Sequence, residues 1–190
     1  RTAIESLSKY DNCVLAQHCE DHSLVHDGVI DEGIVSKELG LKGRHRVGEE
    51  IIISRDIALM KAFASPTLRY HVLHLSTKQG LVLVRDAIAH GLNISTEVAP
   101  QHFALTSKSL LSGNANFKMN PPLRTLDDAN AMKVGLKNGI ISAIATDHAP
   151  HPKEKKELGI EKAPPGMLGV QTVLAASITH LVASGILTIE

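Results

Sequence analysis

The sequence predicts an α/β fold organised around a parallel sheet, and three observations carry that prediction. Short apolar runs alternate with longer segments of helical period. Glycine stands just beyond three of the periodic segments, at Gly91, Gly139 and Gly185, where a left-handed residue closes a helix. Each short run also ends in a cluster of polar, chemically capable residues. Alternating β and α is the rhythm of parallel strands joined by crossover helices, and such folds build their sites at the carboxyl edge of the sheet.

The elements follow in order. A helix is under way by Ala3–Ser8. Asn12–Gln17 is the first strand and ends at His18-Cys19-Glu20-Asp21. Gly43-Arg44-His45-Arg46 reads as a loop between helical segments, followed by a helix over Glu49–Ala64. Arg69–Leu75 is the second strand, ending at His74-Leu75-Ser76-Thr77, with a helix over Thr77–Ala89 behind it. Ile94–Val98 is the third strand and leads into Pro100-Gln101-His102; Leu126–Lys137 is the next helix. Ile140–Thr146 is the fourth strand, ending at Asp147-His148-Ala149-Pro150-His151, and Gln171–Ala183 is the last helix. The cluster Lys153–Lys156 reads as a solvated face.

Composition narrows the function classes. With 190 residues, 43% of them hydrophobic, the chain has material for one core. Twenty Lys and Arg balance twenty Asp and Glu, so no basic excess argues for a nucleic-acid partner. The apolar runs Ile140–Ala145 and Gln171–Val182 are too short or too interrupted to be bilayer spans. Two cysteines and no recognisable leader fit a reducing cytoplasm.

The chemistry gathers at the strand ends. A hydrolytic zinc takes neutral imidazole and carboxylate ligands and keeps a position for water. His18, His74 and Asp147 offer that set from three different strands. Side chains alternate faces along an extended strand, so His71 and His74 are expected on opposite faces, His74 towards the site and His71 towards the covering helices. The same parity places Val14 and Ala16 beneath His18, and Ala143 and Ala145 inward with Asp147. Simpler roles compete: a hydrogen-bonded histidine after a strand, and for Asp147 a helix N-cap. Glu20 and Asp21 read as caps or as partners of a ligand.

Five segments, Gln17–Asp21, His71–Thr77, Glu97–His102, Asn120-Pro121-Pro122-Leu123-Arg124 and Ala145–His151, together resemble the dihydroorotases of the amidohydrolase superfamily. The resemblance covers nearly the whole chain, and Asp-His-Ala-Pro-His is its most specific run. It implies a (β/α)8 TIM-type barrel of the metal-dependent hydrolase kind, with the four units here as strands five to eight. Residues 1–190 are then the C-terminal half of the barrel domain, without its N-terminal half and small β domain. It further implies two zinc ions, His18 and His74 on one and Asp147 on the other, with Asp147 also the proton shuttle. Asn120, His151, Pro165 and Gly166 match substrate-holding positions; without the resemblance, Asn120 and Pro165-Gly166 read as turns. The implied reaction is the reversible opening of (S)-dihydroorotate to N-carbamoyl-L-aspartate in pyrimidine biosynthesis.

The resemblance also marks departures. The family commonly has two histidines where Gln101 and His102 stand, and often an aromatic at Pro165. The first-strand His-x-His pair and the bridging Lys or Asp are absent, and His45 does not replace them. A complete barrel takes about 250 residues, so these residues are expected to need the other half for stability and activity, half a barrel having two open sheet edges. Hydantoinases and allantoinases are the nearest rivals, from which Asn120 and His151 discriminate. Another alternative is a non-catalytic dihydroorotase-like partner of aspartate transcarbamoylase. A homo-oligomer is also compatible with the resemblance.

Overall fold

The structure, a computed structural model, describes residues 1–189. Helix α1 (Thr2–Leu7) precedes β1 (Val14–Gln17). A long excursion follows, through α2 (His22–Val25), β2 (Ile30–Asp31), α3 (Ile34–Glu38) and β3 (Gly43–Arg44), before α4 (Val47–Phe63) returns the chain to the sheet. Next come β4 (Arg69–Val72), α5 (Lys78–Ala89), β5 (Ile94–Val98), α6 (Pro100–Ala104) and 3-10 turns at Ser107–Ser112 and Ala115–Phe117. The chain ends through α7 (Leu126–Lys137), β6 (Ala143–Ile144), α8 (Lys153–Lys156), α9 (Gly159–Lys162) and α10 (Val173–Ser177), which widens into a π turn over Ile178–Val182.

Strands β1, β4, β5 and β6 form one parallel sheet in that order, so every connection within it is a crossover, as the alternation predicts. The register sets Ala16 opposite His71, His71 opposite Ser95, and Glu97 opposite Ala143. Paired residues of a parallel ladder share a face, so these side chains line one side of the sheet. Tyr70, Val72, Ile94 and Val98 line the other, packed with Ile52, Ile53 and Ile57 of α4, Val84 of α5 and Met132 of α7 in the main core. A smaller core of Ile30, Val35, Leu110, Ala115, Ile160 and Ala163 joins the long loops that follow β1, β5 and β6. Those loops cluster at the carboxyl edge.

Local sequence explains the ends of the main helices. Thr77 Oγ1 accepts from Gly80 N–H at 3.1 Å to cap α5, and Thr125 with Asp128 forms a capping box on α7. Gly91, Gly139 and Gly185 all have positive φ, as their positions predict. The expected helix over Gln171–Ala183 is instead a short α-helix and a π turn. Its apolar residues have little to pack on: Leu174 and Ile178 are exposed, and only Leu181 is buried. The segment expected as loop around Gly43-Arg44 is a strand paired with Ile30–Asp31.

Strand parity fails at His71. Val14, Ala16 and Ala143 do lie on the face without helices, but His71 shares it, donating and accepting between Ser95 Oγ at 2.7 Å and Glu97 Oε2 at 3.2 Å. Parity assumed an extended chain from Tyr70 to His74. The strand ends at Val72, and His74 takes a φ of 33°, which turns its side chain out of the alternation.

Candidate functional site

The two strand ends with the chemically richest residues are also strained. His74 and Asp147, with φ of 33° and 47°, are two of four non-glycine residues with positive φ among those described. Such conformations cost about 1–3 kcal/mol each and persist where surrounding contacts fix them. For His74 the fixing group is Glu49, buried at the start of α4. Its carboxylate accepts from Ser76 N–H at 3.0 Å, Thr77 N–H at 3.1 Å, Thr77 Oγ1 at 3.1 Å and the Ser76 hydroxyl. Arg124 donates to Ser76 Oγ at 3.0 Å and to Asp31 Oδ1 at 2.6 Å, and lies 3.5 Å from Glu49. For Asp147, the following residue is anchored: His148 Nδ1 accepts from the amides of Gly169 and Val170 at 3.0 and 3.2 Å.

His18 Nδ1 and His74 Nε2 face each other at 2.9 Å, the rings edge to face with an interplanar angle of 72°. His18 Nε2 donates to Glu20 Oε2 at 2.7 Å. Because an ionised carboxylate only accepts, this bond puts the proton on Nε2 and leaves Nδ1 a bare lone pair. Burial lowers the pKa of His74, opposed by the nearby charge of Asp147 and reinforced by His18. Burial raises that of Asp147, opposed by His74 and then His18, so the three groups sense one another. His74 Nδ1 and Asp147 Oδ2 are buried without hydrogen-bond partners.

This donor set fits a metal in chemistry but is partial. Two nitrogens on one tetrahedral zinc stand roughly 3.3 Å apart, so the imidazoles need to separate by only a few tenths of an ångström. The orphaned Asp147 oxygen has a lone pair to offer. Among the described residues, however, no three His, Cys, Asp or Glu side chains converge as a full ligand set.

Asn120 joins the histidine cluster. Its Nδ2 donates to Glu20 Oε2 at 2.7 Å and lies 3.4 Å from His18 Nε2, while its Oδ1 accepts from Arg44. Arg44 also donates to Glu20 Oε1 at 2.9 Å. Three partners therefore hold Glu20 ionised, its pKa lowered to about 2, with the His18 hydrogen bond the largest cause. Asp21 is a cap, accepting from Ser23 N–H at 2.9 Å.

His151, Pro165 and Gly166 form a second cluster. His151 Nε2 donates to Pro165 O at 2.9 Å, and Gly166 N–H donates to Lys118 O at 2.8 Å, two residues before Asn120. Gly166 has φ 145°, and a Cβ there would lie 2.3 Å from Ala149 O, so only glycine fits. Lys156, expected on a solvated face, is buried: its ammonium donates to Pro164 O at 3.0 Å and Lys118 O at 3.4 Å. Three carbonyl-directed contacts, from Gly166 N–H and Lys156 Nζ to Lys118 O and from Lys118 Nζ to Glu161 O at 3.0 Å, tie this loop to the Asn120 segment. His102 is fully enclosed beside the same segment, with Nε2 on Pro121 O at 3.0 Å.

The Dihydro-orotase-like family profile matches residues 3–80. A dihydroorotase of Ehrlichia chaffeensis is 46% identical over 178 residues, covering 94% of this chain and 39% of its own length. The chain belongs to the dihydroorotase-like family. It spans about two fifths of the length of that curated relative. Solved structures share the fold: a dihydropyrimidinase from Brevibacillus agri superposes with a TM-score of 0.83 at 21% identity, over 98% of this chain and 42% of the other. A Saccharomyces cerevisiae dihydroorotase in complex with 5-fluoroorotic acid superposes with a TM-score of 0.70 at 18% identity, over 97% and 49%. The dihydroorotase-like chain thus has the amidohydrolase TIM-barrel fold, with four parallel strands of it in the described residues. No helix among them is long and apolar enough to cross a membrane.

Sequence reasoning brought His18, His74 and Asn120 to one place, with Asp147 close by; it missed Arg44 and Glu49. Arg44 stood in a segment read as loop, and only its charge next to a glycine hinted at more. Glu49 was visible as an acidic residue in a first helical turn, which is also the position of an ordinary dipole partner.

Proposed function

We propose that the protein is a zinc-dependent dihydroorotase, reversibly hydrolysing the cyclic amide of (S)-dihydroorotate to N-carbamoyl-L-aspartate in the cytoplasm. The observation that carries this reading is the convergence of His18 Nδ1 and His74 Nε2 at 2.9 Å beside Asp147, whose buried oxygen has no partner. Under it, residues 1–190 are the C-terminal half of the barrel domain, and residues from the other half complete the site.

His18 and His74 would hold one ion and Asp147 the second. When bound, zinc supplies Lewis acidity towards the ring carbonyl and lowers the pKa of the attacking water. Asp147 takes the proton from that water and returns it to the ring nitrogen as the C–N bond breaks. Its burial favours the protonated intermediate state of this shuttle. Asn120, with an amide whose orientation Glu20 and Arg44 fix, would hold the ring together with His151 and the Pro165–Gly166 backbone. The free thiols of Cys13 and Cys19 agree with a reducing compartment. Partners under this reading are a second copy of the chain or aspartate transcarbamoylase, which co-purification and mass measurement would distinguish.

The test uses the full-length protein with zinc supplied. Turnover of dihydroorotate and little of hydantoin or allantoin is expected; the reverse preference overturns the substrate assignment. Asp147→Ala should lower kcat by about 10²–10⁴ or more, and undiminished activity would remove Asp147 from the mechanism.

A further inference from the structure

We infer that Glu20, braced by Arg44, is a positioning residue that sets the imidazole tautomer of His18 and the amide orientation of Asn120 together. The inference rests on the reading of His18 and His74 as metal ligands. The four side chains close a ring of hydrogen bonds. Glu20 Oε2 accepts from His18 Nε2 and Asn120 Nδ2, each at 2.7 Å; Glu20 Oε1 accepts from Arg44 Nη2 at 2.9 Å; and Arg44 Nη1 donates to Asn120 Oδ1.

The donor and acceptor inventory gives the ring one solution. A carboxylate cannot donate, so His18 must carry its proton on Nε2, and its Nδ1 keeps the lone pair that accepts from His74 Nε2 in the metal-free protein and that a cation would take up. A guanidinium cannot accept, so Asn120 must turn its oxygen to Arg44 and its nitrogen to Glu20. A flipped amide would set oxygen against oxygen and N–H against N–H. Glu20 and Arg44 have side-chain exposures of only 7% and 16%, so little water is present to soften that mismatch. Arg44 reaches the ring from β3, whose pairing with β2 is the one piece of sheet in the excursion between β1 and α4. The excursion thus delivers a cation to the junction between a candidate ligand and a candidate substrate contact.

The experiment uses the full-length protein and the variants His18→Ala, Glu20→Gln, Glu20→Asp, Arg44→Lys and Arg44→Met. Zinc affinity is measured by chelator competition, cobalt-substituted spectra report ligand geometry, and ¹⁵N shifts of histidine in the metal-free protein report the tautomer. The wild type should show an Nε2-protonated His18. Glu20→Gln should weaken zinc binding 10–100-fold, change the cobalt spectrum and mix the tautomers, with Glu20→Asp recovering part of each. Arg44→Met should keep zinc but lower kcat/KM for dihydroorotate at least tenfold, and Arg44→Lys should recover little. Wild-type zinc affinity and tautomer in Glu20→Gln, with zinc lost in His18→Ala, would overturn the positioning role and leave the ligand reading standing. Zinc retained by His18→Ala would overturn the ligand reading itself, and the positioning role with it. Should Glu20→Gln not fold, an Nδ1-protonated His18 in the wild type, or unchanged kcat/KM in Arg44→Met, still overturns the inference.

Discussion

The two faces of the β1-β4-β5-β6 sheet are made from the same strands and serve opposite ends. On one, Tyr70, Val72 and Val98 are fully buried against α4 and α5, and the polar groups are matched: the Tyr70 hydroxyl donates to Asp56 Oδ2 at 2.7 Å and the Thr96 hydroxyl to Val72 O at 3.0 Å. On the other, His71 bridges Ser95 and Glu97, flanked on the neighbouring strands by the small residues Ala16 and Ala143, and the strained His74 and Asp147 stand at the rim. The first face gains stability from packing. The second holds uncompensated polar groups and strain, which lower stability and are kept where chemistry needs them. In a closed barrel, that second face is the lumen.

The largest expected effect lies at the joint between the two regions. Glu49 is anchored in the helical layer and holds the turn that carries His74, so Glu49→Ala should cost about 3–5 kcal/mol by stranding Arg124 and the Ser76 and Thr77 amides. Urea denaturation of the full-length protein checks this. A change under 1 kcal/mol would show that the joint is not what fixes the edge. Next in size is a comparison of neighbours on one strand: Val72→Ala should cost about 2 kcal/mol through lost burial, and His71→Ala under about 1. Equal costs would erase the distinction between faces.

An acid response of similar size belongs to the edge. Burial pushes the pKa of His102 down to about 4, below the ordinary 6.5. Between those values the unfolded chain binds the proton and the folded chain does not, so stability rises with pH across that window. Acidification from pH 7 to 5 should therefore remove about 2 kcal/mol. His102→Gln should flatten the profile there, and an unaltered slope would assign the acid sensitivity elsewhere.

The helical face was far more legible in the sequence than the edge. Leu126–Lys137 was found residue for residue because its cap, its period and Gly139 all agree. Glycine positions and apolar runs report local physics, and local physics sets helix ends. The edge depends on partners distant in sequence: Glu49 meets Ser76, Arg44 meets Asn120, and Lys156 meets Pro164 only after folding. His71 was misplaced for a related reason. Alternation is a rule for extended chain, and a positive φ at His74 leaves no mark in composition when the residue is not glycine. That His18 and His74 lie close together was legible nevertheless, because parallel topology gathers strand ends whatever their spacing, whereas Asn120 follows no strand and was singled out only through the resemblance.

The smallest expected effect separates the two regions most sharply, because its sign is reversed. Asp147 has a φ of 47°, half-buried, with an oxygen that no described residue satisfies. Glycine adopts that backbone without strain and removes the orphaned carboxylate. Asp147→Gly in the metal-free full-length protein should therefore raise stability by about 1 kcal/mol while abolishing turnover of dihydroorotate. The same exchange at Val72, on the helix-covered face, should lower stability by several times that amount, since it adds backbone freedom and deletes a buried side chain. Thermal unfolding of both variants decides the matter: a destabilised Asp147→Gly would mean that the carboxylate supports the fold, and that rim and packed face differ in degree and not in purpose.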